Sequence, residues 1–331
     1  MKKKLAIVLS VVLVFAMLFM TACGGNTETP KETDNAQQVI SKVKVGTGGN
    51  TGTYYAFTTA ACQILGTDTY SFEVLSTGGS QANIEGIEDG DYHMGIVQND
   101  VMNYAYEGSN GFNGQIQSFS AIGCVYPEVC QIIATKASGI ETVADLKGKN
   151  VAVGDVGSGV YYNATQILAA AGIDIDKDIN KTAASFGDSA TQLKDGSIDA
   201  AFITAGTPTT AITELATSTE VVAVDLGADV IAKLMADYSF YAEYEMTSKD
   251  YDFITEPVST VATMATFVVT NDMSEDQAYQ ITKDLWEKQA DIAVAHAKGK
   301  EMNTDIAASA IGNVPLHPGA EKYYKEAGII A

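Results

Sequence analysis

The chain has 331 residues, 46% of them hydrophobic, with 41 acidic side chains against 20 basic ones and a formal net charge of −21. So acidic a chain excludes nucleic acid as a partner, because neutralising phosphates takes clustered basic residues. All 20 basic residues are lysine, which excludes a bidentate arginine clamp on a carboxylate.

Lys2, Lys3 and Lys4 precede an uncharged apolar run over residues 5–20, and Thr21-Ala22 places small residues before Cys23. This is the pattern of an exported precursor, and the run is short for a bilayer span. Residues 1–22 are therefore expected to be a lipoprotein signal peptide, with lipid carried on Cys23. Residues 26–38 are polar and without periodicity, so residues 23–40 read as a lipidated cysteine and flexible tether. The rest is long enough for two domains.

Residues 43–45 alternate as a strand, residues 46–53 form a loop of glycines and hydroxyl residues, and residues 54–65 show helical apolar spacing. Glycines let backbone approach a ligand, and the free N–H groups of a helix start favour an anion. The loop misses the dinucleotide fingerprint, since Thr51 stands where the third glycine belongs, and it lacks the lysine of a phosphate-binding P-loop. The same grammar recurs with a strand at 71–75, a loop at 76–80 and a helix at 80–89. A third strand at 94–97 ends in Gln98-Asn99-Asp100 before a helix at 101–106. Ligands of open α/β sheets bind at the carboxyl ends of strands, so these loops are expected to converge.

Residues 118–134 read as a strand that leaves the first domain for the second, with Pro127 at the crossing. A strand at 150–154 opens into Asp155-Val156-Gly157-Ser158-Gly159 and a helix at 162–171, echoing the first loop. Strands at 182–186, 197–204 and 220–226 alternate with helices at 188–195, 208–215 and 228–238. Residues 238–251 read as an aromatic, irregular segment. A return strand at 258–269 leads to a helix spanning 274–298 and a terminal helix after Pro315-Leu316-His317-Pro318-Gly319. Cys62, Cys124 and Cys130 read as buried free thiols. His93, His296 and His317 lack ligand spacing, so neither a metal nor another cofactor is expected.

As a set, Gly46-Thr47-Gly48-Gly49 through Tyr54-Tyr55, Gly95-Ile96-Val97-Gln98-Asn99-Asp100, Tyr126-Pro127-Glu128 and the segment 143–149 carry a family resemblance, continued by Gly157-Ser158-Gly159, the segment 195–202 and the segment 315–320. The chain resembles a TAXI-type solute receptor of the tripartite ATP-independent periplasmic (TRAP) transporters. That resemblance implies a type II periplasmic-binding-protein fold of α/β class, two lobes joined by crossing strands. Lobe I would comprise residues 41–127 plus 259–331, and lobe II residues 128–258. It also implies an extracytoplasmic, membrane-anchored, monomeric receptor that captures a small organic anion, glutamate or a related C4–C5 carboxylate, and delivers it to an ion-gradient-driven permease.

Carried onto this chain, the resemblance assigns ligand contacts to Thr47, Gly48, Gly49, Thr53, Tyr54, Thr77, Ser80, Gln98 and Asn99 in the first lobe. In the second it assigns Gly157, Ser158, Tyr161, Gly206 and Thr207. A ligand amine would need an acceptor, for which Asp100, Glu128 and Asp155 are candidates. No Ser/His/Asp, Cys/His or metal set has catalytic spacing, so the expectation is a binding protein and not an enzyme. A ligand sensor for a membrane signalling partner is the alternative.

Overall fold

The computed structural model describes residues 39–331. The expected signal peptide, Cys23 and nearly all of the tether lie outside the described residues. Ile40, assigned to the tether, is fastened to the body: its N–H donates to Gln277 Oε1 and its carbonyl accepts from Gln277 Nε2, both at 2.9 Å.

The first half of the fold runs β1 (Lys42–Gly46), α1 (Thr53–Leu65), β2 (Ser71–Leu75), α2 (Ser80–Glu88), β3 (Met94–Gln98) and α3 (Asn99–Glu107). β4 (Phe119–Thr135) follows as one continuous strand. The second half comprises β5 (Asn150–Ala152), α4 (Val160–Ala170), β6 (Asn180–Thr182), α5 (Phe186–Asp195), β7 (Ala200–Ala205), α6 (Thr210–Ala216), β8 (Val221–Ala223), α7 (Ala228–Asp237) and β9 (Ala242–Met246). β10 (Val258–Thr270) returns, and α8 (Glu275–Glu287), α9 (Gln289–Ala295), α10 (Thr304–Ala307) and α11 (Pro318–Glu326) close the chain.

The sheet order is β2-β1-β3-β10-β4-β7-β5-β6. β1 pairs in parallel with β2 and β3, and β5 in parallel with β6 and β7, as expected where strands alternate with helices. β4 and β10 run antiparallel and link the halves. β4 lies against β10 from Phe119 to Val129, then against β7 from Val129 to Ala134. Register shifts at Ala265/Thr266 and Phe267/Val268 let this pair bend where it passes from one lobe to the other. The architecture is the two-lobed type II periplasmic-binding-protein fold.

Each half buries apolar residues on both faces of its strands. On one face of the first half Val43, Phe57, Ile96, Phe267 and Trp286 pack together, and on the other Ile84, Val97, Met102 and Phe119. In the second half Ile132, Val151, Ile167 and Leu234 form one cluster and Ile133, Leu193, Ile203 and Ile212 another.

Three expectations need correction. The strand at 182–186 is displaced: β6 ends at Thr182, and Phe186 opens α5, whose cap Ser185 accepts a bond from the Asp188 N–H. The irregular stretch at 238–251 contains β9, an exposed strand created by its pairing with β10. The single helix at 274–298 is two helices, because Lys288 departs from helical geometry at φ −98° and ψ 15°.

Candidate functional site

Four helix starts converge between the halves. Gly52 caps α1, Gly79 caps α2 and Gly159 caps α4, none with a side-chain cap, while Ser185 caps α5. All four caps line one small cavity of about 50 Å³. The leading N–H groups of a helix lack intrahelical acceptors and carry its positive dipole end, so this wall favours negative charge. The fold thus assembles four such helix starts at one place.

The cavity also takes in Gly48, Gly49, Thr53, Tyr54, Ser80, Gln98, Glu128, Asp155 and Ser158 from the residues expected at the site. The others stand elsewhere. Thr47 and Thr77 stitch the first loops together: Thr47 Oγ1 donates to the Leu75 carbonyl at 2.7 Å, and Thr77 Oγ1 donates to the Thr47 carbonyl at 3.0 Å. Asn99 is spent on the scaffold, donating to the Ala310 carbonyl (2.9 Å) and accepting from the Met264 N–H (3.0 Å). Gly157 offers its carbonyl to the Ala82 N–H at 3.0 Å, so it joins the lobes beside the cavity. Tyr161 is 39% exposed and lies beneath Lys181, whose Nζ is 5.3 Å from its ring centroid. The echo of the first loop therefore breaks down after Gly159: Val160, not Tyr161, faces the cavity.

Gly206 and Thr207 serve closure and support. Thr53 Oγ1 donates across the lobes to the Gly206 carbonyl at 2.7 Å, and Thr207 Oγ1 donates to Asp250 Oδ1. Asp100 lies behind the cavity, accepting from Asn163 Nδ2 at 3.0 Å and from Gln98 Nε2 at 3.3 Å. Burial raises its carboxyl to a pKa of about 6, against the lowering by the Val101 N–H, Asn163 and Gln98.

Several lining residues escaped the sequence reading. Thr204 and Ala205 end β7, where the strand-end rule already applied to β1 and β3 would have found them. Ser185 and Phe186 were hidden by the displaced strand, although Ser185 with Asp188 is a helix-start signal. Gly52, Gly78, Gly79 and Gly159 were present in the very loops singled out.

The halves are clasped around this space. Besides Thr53 to Gly206 and Ala82 to Gly157, the Ala211 N–H donates to the Thr51 carbonyl at 3.2 Å and Tyr162 Oη donates to Gln81 Oε1 at 2.9 Å. Inside, Ser158 Oγ is buried on the lining with no hydrogen-bond partner among the described residues, while the buried Tyr54 and Glu128 side chains lie within reach of each other, Tyr54 also of Ser80 and Glu128 also of Tyr126 and the Gly206 N–H. Leaving a buried polar group unpaired costs roughly 1–3 kcal/mol, so a hydroxyl so placed on a cavity wall is a candidate for a solute contact. Burial drives the Glu128 carboxyl well above the usual carboxylate range, with Lys298 pulling the other way. Burial and then the Glu128 charge raise the phenols of Tyr54 and Tyr126.

Among the described residues no group of three or more His, Cys, Asp or Glu side chains is arranged to hold a metal ion. Cys62, Cys124 and Cys130 are buried free thiols, as expected.

Solved structures share this fold at low sequence identity. A Bordetella bronchiseptica RB50 protein is similar with a TM-score of 0.51 at 16% identity, over 88% of this chain and 90% of that one. A mutant of ArgBP from T. maritima matches at 0.50 and 14%, over 79% and 95%. GshT of Streptococcus mutans, which takes part in glutathione import with the cystine ABC importer TcyBC, matches at 0.50 and 10%, over 85% and 99%. At the level of sequence families the match is direct and spans both lobes: over residues 45–328 the chain fits the model of the NMT1-like family, to which it belongs.

Proposed function

We propose that the chain is an extracytoplasmic, lipid-anchored solute receptor of a TAXI-type TRAP transporter. Lobe I, residues 41–127 with 259–331, and lobe II, residues 128–258, close on a small organic anion, glutamate or a related C4–C5 amino, keto or dicarboxylic acid. The receptor hands the solute to an ion-gradient-driven membrane permease.

The observation that carries this reading is the convergence of four helix starts, with the buried and unpartnered Ser158 Oγ, on one cavity lined from both lobes and the connecting strand. Helix starts and hydroxyls supply hydrogen-bond donors for an anion without arginine. The export pattern before Cys23 and a fold shared with GshT and ArgBP support the same reading.

A thermal-shift screen of the protein, unfolded and refolded to strip carried solute, tests it against amino acids, 2-oxo acids and dicarboxylates. A ligand bound only by the native state raises the melting temperature by mass action, equivalent to about 2.7 kcal/mol at a concentration 100 times its Kd. A dose-dependent rise with one or a few of these acids is expected. Silence across the whole panel overturns the reading.

A further inference from the structure

The cavity is small, about 50 Å³, and most of its lining is glycine, serine and threonine. A cavity of roughly 150 Å³ takes up benzene, so one of this size has no slack, and the bulk of each wall side chain bears directly on what fits. Val160 and Ala205 are small and buried in the core of the second half. Phe186 is larger, only partly buried, and reaches the opposite lobe.

Phe186 opens α5, directly after its cap Ser185. Its ring packs on both core clusters of the second half, so it is backed by close-packed side chains. Across the cleft it meets Gly52, the cap of α1: a Cβ added there would lie 3.3 Å from Phe186 Cδ2 and 3.4 Å from Cε2. The Gly52 backbone is ordinary, at φ −99° and ψ 161°, so what a side chain would meet there is this crowding and not backbone strain.

Gly52 cannot draw back from the ring while the lobes are closed, because the residues on either side of it are held by the second half. The Thr51 carbonyl accepts from the Ala211 N–H at 3.2 Å, and Thr53 Oγ1 donates to the Gly206 carbonyl at 2.7 Å. Gly187, next to Phe186, also lies against Thr51, a Cβ there falling 3.4 Å from Thr51 Oγ1. Ring and glycine together make a wall of fixed position.

We infer that Phe186 is a specificity-determining residue whose ring, set against Gly52, limits the length of solute chain that the cavity accepts when the lobes close. This rests on the receptor reading above. A solute that is too long must either displace a ring backed by packed core or hold the lobes apart, and the second breaks the bonds from Ala211 to Thr51 and from Thr53 to Gly206. Truncating the ring removes the wall without removing any hydrogen-bonding group from the lining.

The experiment measures affinity by calorimetry on the full-length protein along three straight-chain series that grow by single methylenes. These are 2-amino acids from alanine to 2-aminooctanoate, 2-oxo acids from pyruvate to 2-oxooctanoate, and dicarboxylates from malonate to suberate. In a series that binds, the wild type is expected to lose at least tenfold in affinity within two methylenes of its best member. Phe186→Ala is expected to move that drop to members at least two methylenes longer, with a gain of tenfold or more for the first acid that the wild type refuses. A merely structural ring would change all affinities alike and leave the drop where it is. The inference is overturned if the wild type shows no drop, or if the drop stays in place in the folded variant; either result leaves the receptor reading standing. Should Phe186→Ala fail to fold, Phe186→Leu, shorter but still apolar, carries the same test. Binding of no member of any series overturns the receptor reading itself.

Discussion

Gln98 at the end of β3 and Asn163 on α4 meet across the cleft, the Gln98 side-chain amide donating to Asn163 Oδ1 at 2.8 Å. Asn163 is the hub of a buried network, donating also to Asp100 Oδ2 (3.0 Å) and Tyr241 Oη (2.9 Å) and accepting from Thr204 Oγ1 (2.9 Å). Replacing it with alanine leaves several buried groups short of a partner, at roughly 1–3 kcal/mol for each one left unsatisfied. Asn163→Ala is expected to lower the melting temperature and to weaken solute binding about tenfold or more. Thermal denaturation and calorimetry check this, and unchanged affinity would show that the network does not help hold the lobes closed.

Asp100 makes the ligand-free protein sensitive to pH. Its carboxyl titrates near 6 in the fold against an ordinary value of 3.8, so the folded state binds the proton more tightly than the unfolded chain does. The stabilisation is full below about pH 4 and is lost as pH rises through about 6. A shift of this size corresponds to roughly 3 kcal/mol. Asp100→Asn removes the titration, so the melting temperature of the variant relative to wild type is expected to climb between pH 4 and 7. A constant difference across that range would mean that Asp100 is not the group responsible.

Gly159 has an ordinary φ of −69°, so alanine there meets no backbone strain. The obstacle is across the cleft, where a Cβ would lie 2.1 Å from Gln98 Oε1, on a side chain already held by Asn163 and Asp100. Gly159→Ala is expected to leave the protein folded and to cut solute affinity by more than tenfold, because closure brings these two atoms together. Wild-type affinity in a titration would exclude this closed geometry as the binding form.

Ser158 Oγ is buried and without a partner on the protein. Removing it therefore costs the empty protein little, whereas a solute loses a hydrogen bond worth about 1 kcal/mol or more. Ser158→Ala is expected to weaken binding about fivefold or more, with the melting temperature of the empty protein within about 2 °C of wild type. A large loss of stability would make the serine structural instead.

If Cys23 carries the lipid, Cys23→Ser is expected to move the protein from the membrane fraction to the soluble extracytoplasmic fraction. Fractionation followed by immunoblotting measures this, and full retention would refute anchoring through that residue.

Much of the site was legible because strand, glycine loop and helix succeed one another within short spans of chain. Gly48, Gly49, Thr53 and Tyr54, read from one such span, line the cavity, as does Ser158, read from its echo in the second half. Thr47, Thr77 and Asn99 look the same in sequence, yet their side chains are consumed by the scaffold. Composition cannot distinguish a threonine that faces a ligand from one that faces the next loop. Tyr161 failed for a related reason: two loops of similar grammar need not place the following tyrosine on the same side of its helix.

The sequence by itself determined the alternation of strands and helices, the glycine loops at their junctions, the absence of arginine and the export pattern, since each is written in local spacing or composition. Only the tertiary structure decided that β9 is a strand, because an exposed segment takes that form through its pairing with β10. It decided likewise that four helix starts share one cavity, that Asn163 meets Gln98 across the cleft, and that Glu128 lines the cavity while Asp100 does not. These outcomes depend on which distant segments meet, and burial, hydrogen-bond satisfaction and the ionisation of a carboxyl group are set by those meetings.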